Sequence, residues 1–188
     1  MDELVLAPHG ETETSARRVV GGDAGLTAAG RTQARALAEE LAGFPVEVCL
    51  TSGARRARET AQLALAGRDV PVAVLPELAD IDFGAFEGRP LEEYRRWVAA
   101  HPPAEAPPGG ESRVATLRRF ARAFRALVAR PERHVLVVAH GLMLPAAMGE
   151  RPQPEVTGVP YGSSVRLTRG ELERAAERLE RWCEAPAW

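Results

Sequence analysis

Leu4-Val5-Leu6-Ala7-Pro8-His9-Gly10 near the start of the chain and Val135-Leu136-Val137-Val138-Ala139-His140-Gly141 late in it share one plan: a short apolar run, a histidine and a glycine. Each run reads as a buried strand that stops at its glycine. In an open α/β sheet, ligands bind beyond the C-terminal ends of the strands. His9 and His140 are therefore expected at that edge, brought together from opposite ends of the chain. Two imidazoles in one pocket suit phosphate chemistry, one attacking phosphorus while the other holds its oxygens.

Outward from these runs, Val46–Leu50, Val72–Leu75 and Ser164–Thr168 are further strand candidates. Helical patterns separate them. Thr27 is placed to cap a helix to about Glu40 or Leu41, with Gly43 as its stop, and a second covers about Ala54–Ala66 before Gly67. A third spans about Leu91–Ala100. In the fourth, Val114, Leu117, Ala121, Phe124 and Val128 alternate spacings of three and four and form one buried stripe. A short helix follows His140, and Glu171–Glu184 makes the last. Strands alternating with helices predict an α/β fold, a three-layer α/β/α sandwich with a largely parallel central sheet. A chain of 188 residues is expected to form a single domain, residues 1–188. Its Pro/Gly-rich stretch at about 101–111, running from His101-Pro102-Pro103 to Gly109-Gly110-Glu111, is expected to be an exposed lid loop at a pocket rim.

Composition narrows the partners. All 24 basic residues are Arg, Lys and Asn are absent, and Ile81 is the sole Ile. Those three amino acids have A/T-rich codons, so the bias belongs to the coding sequence and is no nucleic-acid signature. The net charge of -2 likewise points to neither nucleic acid nor an anionic membrane. Arg118, Arg119, Arg122 and Arg125 read as a solvated helix face. No apolar stretch approaches the roughly 20 residues that span a bilayer. Cys49 and Cys183 form neither a disulfide framework nor a metal motif, and Met1-Asp2-Glu3 opens no signal peptide, so a reducing, cytoplasmic setting is expected. Trp182 and Trp188 are read either as a homodimer contact or as part of the chain's own core.

Three segments add chemistry to the histidines. Thr51-Ser52-Gly53-Ala54-Arg55-Arg56 follows a strand and opens a helix, whose free N–H groups and positive end favour an anion. Arg55 or Arg56 adds a guanidinium fork matched to phosphate oxygens. Leu78-Ala79-Asp80-Ile81-Asp82-Phe83-Gly84-Ala85-Phe86-Glu87-Gly88 sets the acids Asp80, Asp82 and Glu87 among apolar residues. One of them is a candidate proton donor; the plain alternative is a turn with surface acids. Pro107-Pro108-Gly109-Gly110-Glu111-Ser112 leads into the regular helix, where Ser112 also reads as a simple N-cap.

In this order the segments resemble the histidine phosphatase superfamily, also called the phosphoglycerate mutase-like family, over roughly residues 4–167. Pro8-His9-Gly10-Glu11-Thr12 stands at the family's Arg-His-Gly-Glu-Thr. Asp23-Ala24-Gly25-Leu26-Thr27-Ala28-Ala29-Gly30-Arg31-Thr32-Gln33-Ala34 is similar to its next landmark. Arg56 falls at the family arginine, Asp80 at the acid, and Pro108-Gly109-Gly110-Glu111-Ser112 and His140-Gly141 match as they stand. The resemblance implies a phosphoglycerate mutase-like fold and a compact, metal-independent acid or neutral phosphatase without a cofactor. Its substrate would be a small phosphorylated metabolite. By the same resemblance, His9 is the nucleophile and becomes phosphohistidine, Arg56 and His140 bind the phosphoryl oxygens, and Asp80 protonates the leaving alcohol. Gly10, Ser15 and Gly141 complete the phosphate site, and Glu11, Arg17, Glu87, Glu111, Ser112 and Arg113 are lid or secondary candidates.

Departures from the pattern matter. Pro8 replaces the arginine beside the nucleophile, and losing one preorganised donor costs about 2.7–4 kcal/mol. Ser15 stands where many members place an Asn, and Asp80 is shorter than the usual Glu. Arg17, Arg18 and Arg113 are the candidate substitute cations. A catalytically impaired member that binds a phosphorylated ligand or a protein is the alternative that Pro8 keeps open. A phosphoglycerate mutase ranks third, because the chain has little room for an insertion after the acid.

Overall fold

A computed structural model describes residues 1–154 and 159–188. The expected strands form as β1 (Glu3–Pro8), β2 (Val48–Thr51), β3 (Val72–Val74), β4 (His134–Ala139) and β5 (Val165–Thr168). They build one sheet in the order β3-β2-β4-β1-β5, parallel throughout except for the antiparallel edge strand β5. The largely parallel sheet follows from connections long enough to hold crossover helices.

Alternation along the strands sorts the helices into two layers. Leu4, Leu6, Leu50, Val135 and Val137 join one cluster with the stripe of α5 (Arg113–Val128), α6 (Met143–Met148) and α7 (Arg169–Glu184). Val5, Ala7, Cys49, Leu136 and Val138 join a second with α2 (Ala28–Glu40) and α3 (Arg55–Ala64). A third, small cluster of Val20, Ile81, Phe86, Tyr94 and Val98 lies under α4 (Leu91–Ala100). Thr27 and Ser112 cap α2 and α5 as expected, accepting from the N–H groups of Gly30 and Ala115. The last helix starts at Arg169 because Thr168 and Glu171 form a capping box.

The structure departs from the sequence reading in two places. A short helix, α1 (Glu13–Ala16), follows β1, closed by a capping box between Thr12 and Ser15. It is too brief to show a period. Arg119 is no solvated residue: its guanidinium pairs with Glu111 at 2.6 Å and donates to the carbonyls of Glu77, Ala79 and Asp80. Residues 101–111 are mostly exposed, and none of them lines the cavity described below. His101 stacks on Trp97 at 4.3 Å between ring centroids, and the Trp188 indole donates to the His101 carbonyl at 2.9 Å. Trp182 lies 6.1 Å from Trp188, and the two are partly buried against the chain's own apolar clusters.

Candidate active site

The register of β1 and β4 carries the histidines to one edge. Pro8 pairs with Ala139, so His9 and His140 leave adjacent strands side by side. Their ring centroids lie 5.2 Å apart in an edge-to-face arrangement. His9 Nδ1 sits 2.8 Å from the Gly10 carbonyl. As a carbonyl only accepts, Nδ1 carries the proton and Nε2 keeps its lone pair. The turn after His9 is pinned from behind: the Gly10 N–H donates to the Thr60 hydroxyl, which donates to the Arg56 carbonyl. Gly10 also lies so close to Gly30 that a Cβ on it would stand 2.4 Å from the Gly30 oxygen.

At the start of α3, Arg55 turns outward to Glu59 at 2.7 Å. Arg56 turns inward and is buried. One of its nitrogens donates to the Gly22 carbonyl at 2.9 Å; the other meets Asp80 Oδ2 at 3.1 Å and His140 Nδ1 at 3.2 Å. Asp80 Oδ2 and His140 Nδ1 are 3.3 Å apart, closing a three-membered cluster. The far nitrogen of His140, Nε2, is 2.8 Å from the Ser52 hydroxyl. Of the three acids in the 78–88 segment, only Asp80 reaches this cluster. Asp82 accepts from the Gly84 N–H in a turn, and exposed Glu87 accepts from the Gly22 N–H.

Electrostatics follow from burial. Desolvation, aided by His140 and Arg56, pushes the His9 pKa down to about 3. Desolvation also lowers His140, to about 4, with Arg56 acting in the same direction and Asp80 opposing. Both imidazoles are therefore neutral at neutral pH. Burial alone would raise Asp80; its interactions with His140, the Arg56 guanidinium, His9 and the Ile81 N–H outweigh that and hold its carboxyl below the usual range.

A cavity of about 490 Å³ opens over this cluster. His9, Arg56, Asp80, Pro8, Ser15 and Gly141 line it. His140 lies behind the wall, 1 % exposed. Ser15 faces the cavity while its hydroxyl accepts from the Thr12 N–H. Most secondary candidates are engaged elsewhere. Glu11 accepts from the Thr27 hydroxyl, Glu111 pairs with Arg119, Ser112 caps α5, and Arg17 lies exposed beside Glu13. Arg113 and Arg18 do line the cavity. Sequence reasoning missed Ser52, Thr60, Tyr94 and Tyr161. Tyr161 brings its ring within 5.9 Å of His9 and carries no local sequence signal; Ser52, beside the strand end of β2, had one. Among the described residues, no three His, Cys, Asp or Glu side chains gather to hold a metal ion.

Comparisons with known proteins identify the family. Residues 4–184 match the model of the histidine phosphatase superfamily, branch 1. The adenosylcobalamin/alpha-ribazole phosphatase of Salmonella typhimurium is 37% identical over 148 residues, 73% of each chain. The uncharacterised phosphatase PhoE of Bacillus subtilis is 29% identical over 184 residues, 97% of this chain and 92% of its own. Among solved structures, a mycobacterial glucosyl-3-phosphoglycerate phosphatase in complex with VO3 superimposes with a TM-score of 0.74 at 28% identity, covering 89% of this chain and 91% of that one.

Proposed function

Because the chain belongs to the histidine phosphatase superfamily, we propose that it hydrolyses phosphate monoesters of small metabolites through a phosphohistidine on His9. The observation that carries this reading is the Nε2 lone pair of a neutral His9 on the wall of a cavity shared with Arg56 and Asp80. Nε2 attacks phosphorus, and the alcohol leaves with a proton from Asp80. Water then attacks the phosphohistidine, returns a proton to Asp80 and releases inorganic phosphate. Arg56 stabilises the equatorial oxygens as they gain charge. His140, behind the wall, orients Asp80 and Arg56 and reaches the oxygens once they displace the Asp80 contact. A bound phosphate dianion raises the pKa of Asp80 towards the protonated form a general acid needs. The cavity lies within the roughly 300–1,000 Å³ of small-molecule sites, so it has room for the alcohol as well as the phosphoryl group.

Pro8 favours a second reading, an impaired member that binds a phosphorylated ligand. One experiment separates the two. Wild type is expected to hydrolyse 4-nitrophenyl phosphate in the presence of EDTA, with inhibition by vanadate and loss of at least about 10³-fold in His9→Ala. Full activity in His9→Ala, or loss of wild-type activity in EDTA, overturns the proposed mechanism. Vanadate binding without turnover by wild type selects the impaired reading.

A further inference from the structure

Arg113, the first residue of α5, is 7 % exposed. Among the described residues its guanidinium meets no carboxylate, and its buried Nε has no hydrogen-bond partner. Six residues on, Arg119 shows what a satisfied arginine looks like in this helix, with Glu111 and three carbonyls around it. Among the described residues, the Arg113 guanidinium has the ring of Tyr94, 6.0 Å from its Cζ. An arginine keeps its charge when buried, so a desolvated cation without a counter-ion is unfavourable unless an anion completes it. Both Arg113 and Tyr94 line the cavity that holds His9, and so do the apolar Ile81, Phe83 and Leu91. Tyr94 packs with Ile81 and Phe83, its ring 4.8 Å from that of Phe83, which places Tyr94 and the Arg113 guanidinium over it beside the segment that carries Asp80.

We propose that Arg113, backed by Tyr94, binds a second anionic group, a carboxylate or a second phosphate, on the alcohol portion of the substrate. The assignment rests on the phosphatase reading above, in which the alcohol departs towards Asp80. The preferred substrates are then phosphorylated hydroxy acids or bisphosphates rather than esters of neutral alcohols. Unlike a cation on the transferring phosphoryl, Arg113 would discriminate between leaving groups.

The test compares kcat/KM on three esters: 3-phosphoglycerate, 1,3-propanediol bisphosphate and glycerol 3-phosphate. The first and last differ by a carboxylate in place of a hydroxymethyl group. Wild type is expected to favour one of the two doubly anionic esters over glycerol 3-phosphate by about tenfold or more. The ester favoured tells carboxylate from phosphate. Arg113→Gln is expected to bring the ratio to within about threefold of unity, with Arg113→Met, which keeps the apolar stem, as the second variant if the first does not fold. No preference in wild type, or the same loss on every ester in the variant, overturns the subsite. Calorimetric binding of the same esters separates the two claims. Binding that discriminates in an Arg113-dependent way without turnover refutes hydrolysis and upholds the subsite. Hydrolysis of 4-nitrophenyl phosphate without discrimination does the reverse.

Discussion

Asp80 carries opposing demands. The ligand-free geometry ties its carboxylate to Arg56 and His140 and holds its pKa below the usual range. A general acid must be protonated when the alcohol leaves. In the free protein the basic limb of kcat/KM therefore lies at acid pH. With phosphate bound, the limb of kcat moves to higher pH, because a dianion disfavours a neighbouring carboxylate. The limb should be steep for a poor leaving group and shallow for nitrophenolate, which hardly needs the proton. Asp80→Asn is expected to lower kcat on a sugar phosphate by about 10²–10³-fold and on 4-nitrophenyl phosphate by far less. Equal losses on the two substrates would reduce Asp80 to a positioning role. His9 sets no limb above about pH 3, since its imidazole is neutral down to that value.

The site depends on how closely the elements holding these residues approach one another. The turn after β1 lies against the first turn of α2 at two glycines. A Cβ on Gly30 would stand 2.1 Å from the Glu11 carbonyl oxygen, a backbone atom that has no room to move aside. Gly30→Ala is expected to cost about 1–3 kcal/mol and to lower Tm by several degrees. The catalytic loss should exceed the stability loss, because the strain falls on the turn carrying His9. An unchanged melting curve would show that the turn absorbs the clash. Arg119 does for the 77–80 segment what Thr60 does for Gly10. It gathers the carbonyls of Glu77, Ala79 and Asp80 onto α5 and so fixes where the Asp80 carboxylate points.

For the whole molecule, the buried histidines link the site to acid stability. Their folded pKa values, about 3 and about 4, lie below the ordinary histidine value of 6.5. The unfolded chain thus binds protons first as pH falls. Their contribution is fully present above about pH 6.5 and is lost towards the folded values, on the order of 2 kcal/mol per histidine by pH 4.5. Tm is expected to fall between pH 7 and 4.5, and by less in His9→Ala. A wild-type Tm that stays flat over that range would contradict the burial assigned to the pair.

How much of this was legible in the sequence depended on range. The strands, the caps Thr27 and Ser112, and the stripe of α5 are local patterns of period and capping chemistry, and the chain alone determined them. The adjacency of His9 and His140 could be inferred too, because strand ends share an edge in a sheet of this kind. The inward turn of Arg56 rather than Arg55, the selection of Asp80 over Asp82 and Glu87, and the closeness of Tyr161 to His9 are contacts between distant segments. So are the pairing of Arg119 with Glu111 and the burial of Arg113 with its Nε unpaired. Only the tertiary structure decided these. Local periodicity says which face of an element is buried; which charged group enters that face depends on what packs opposite it.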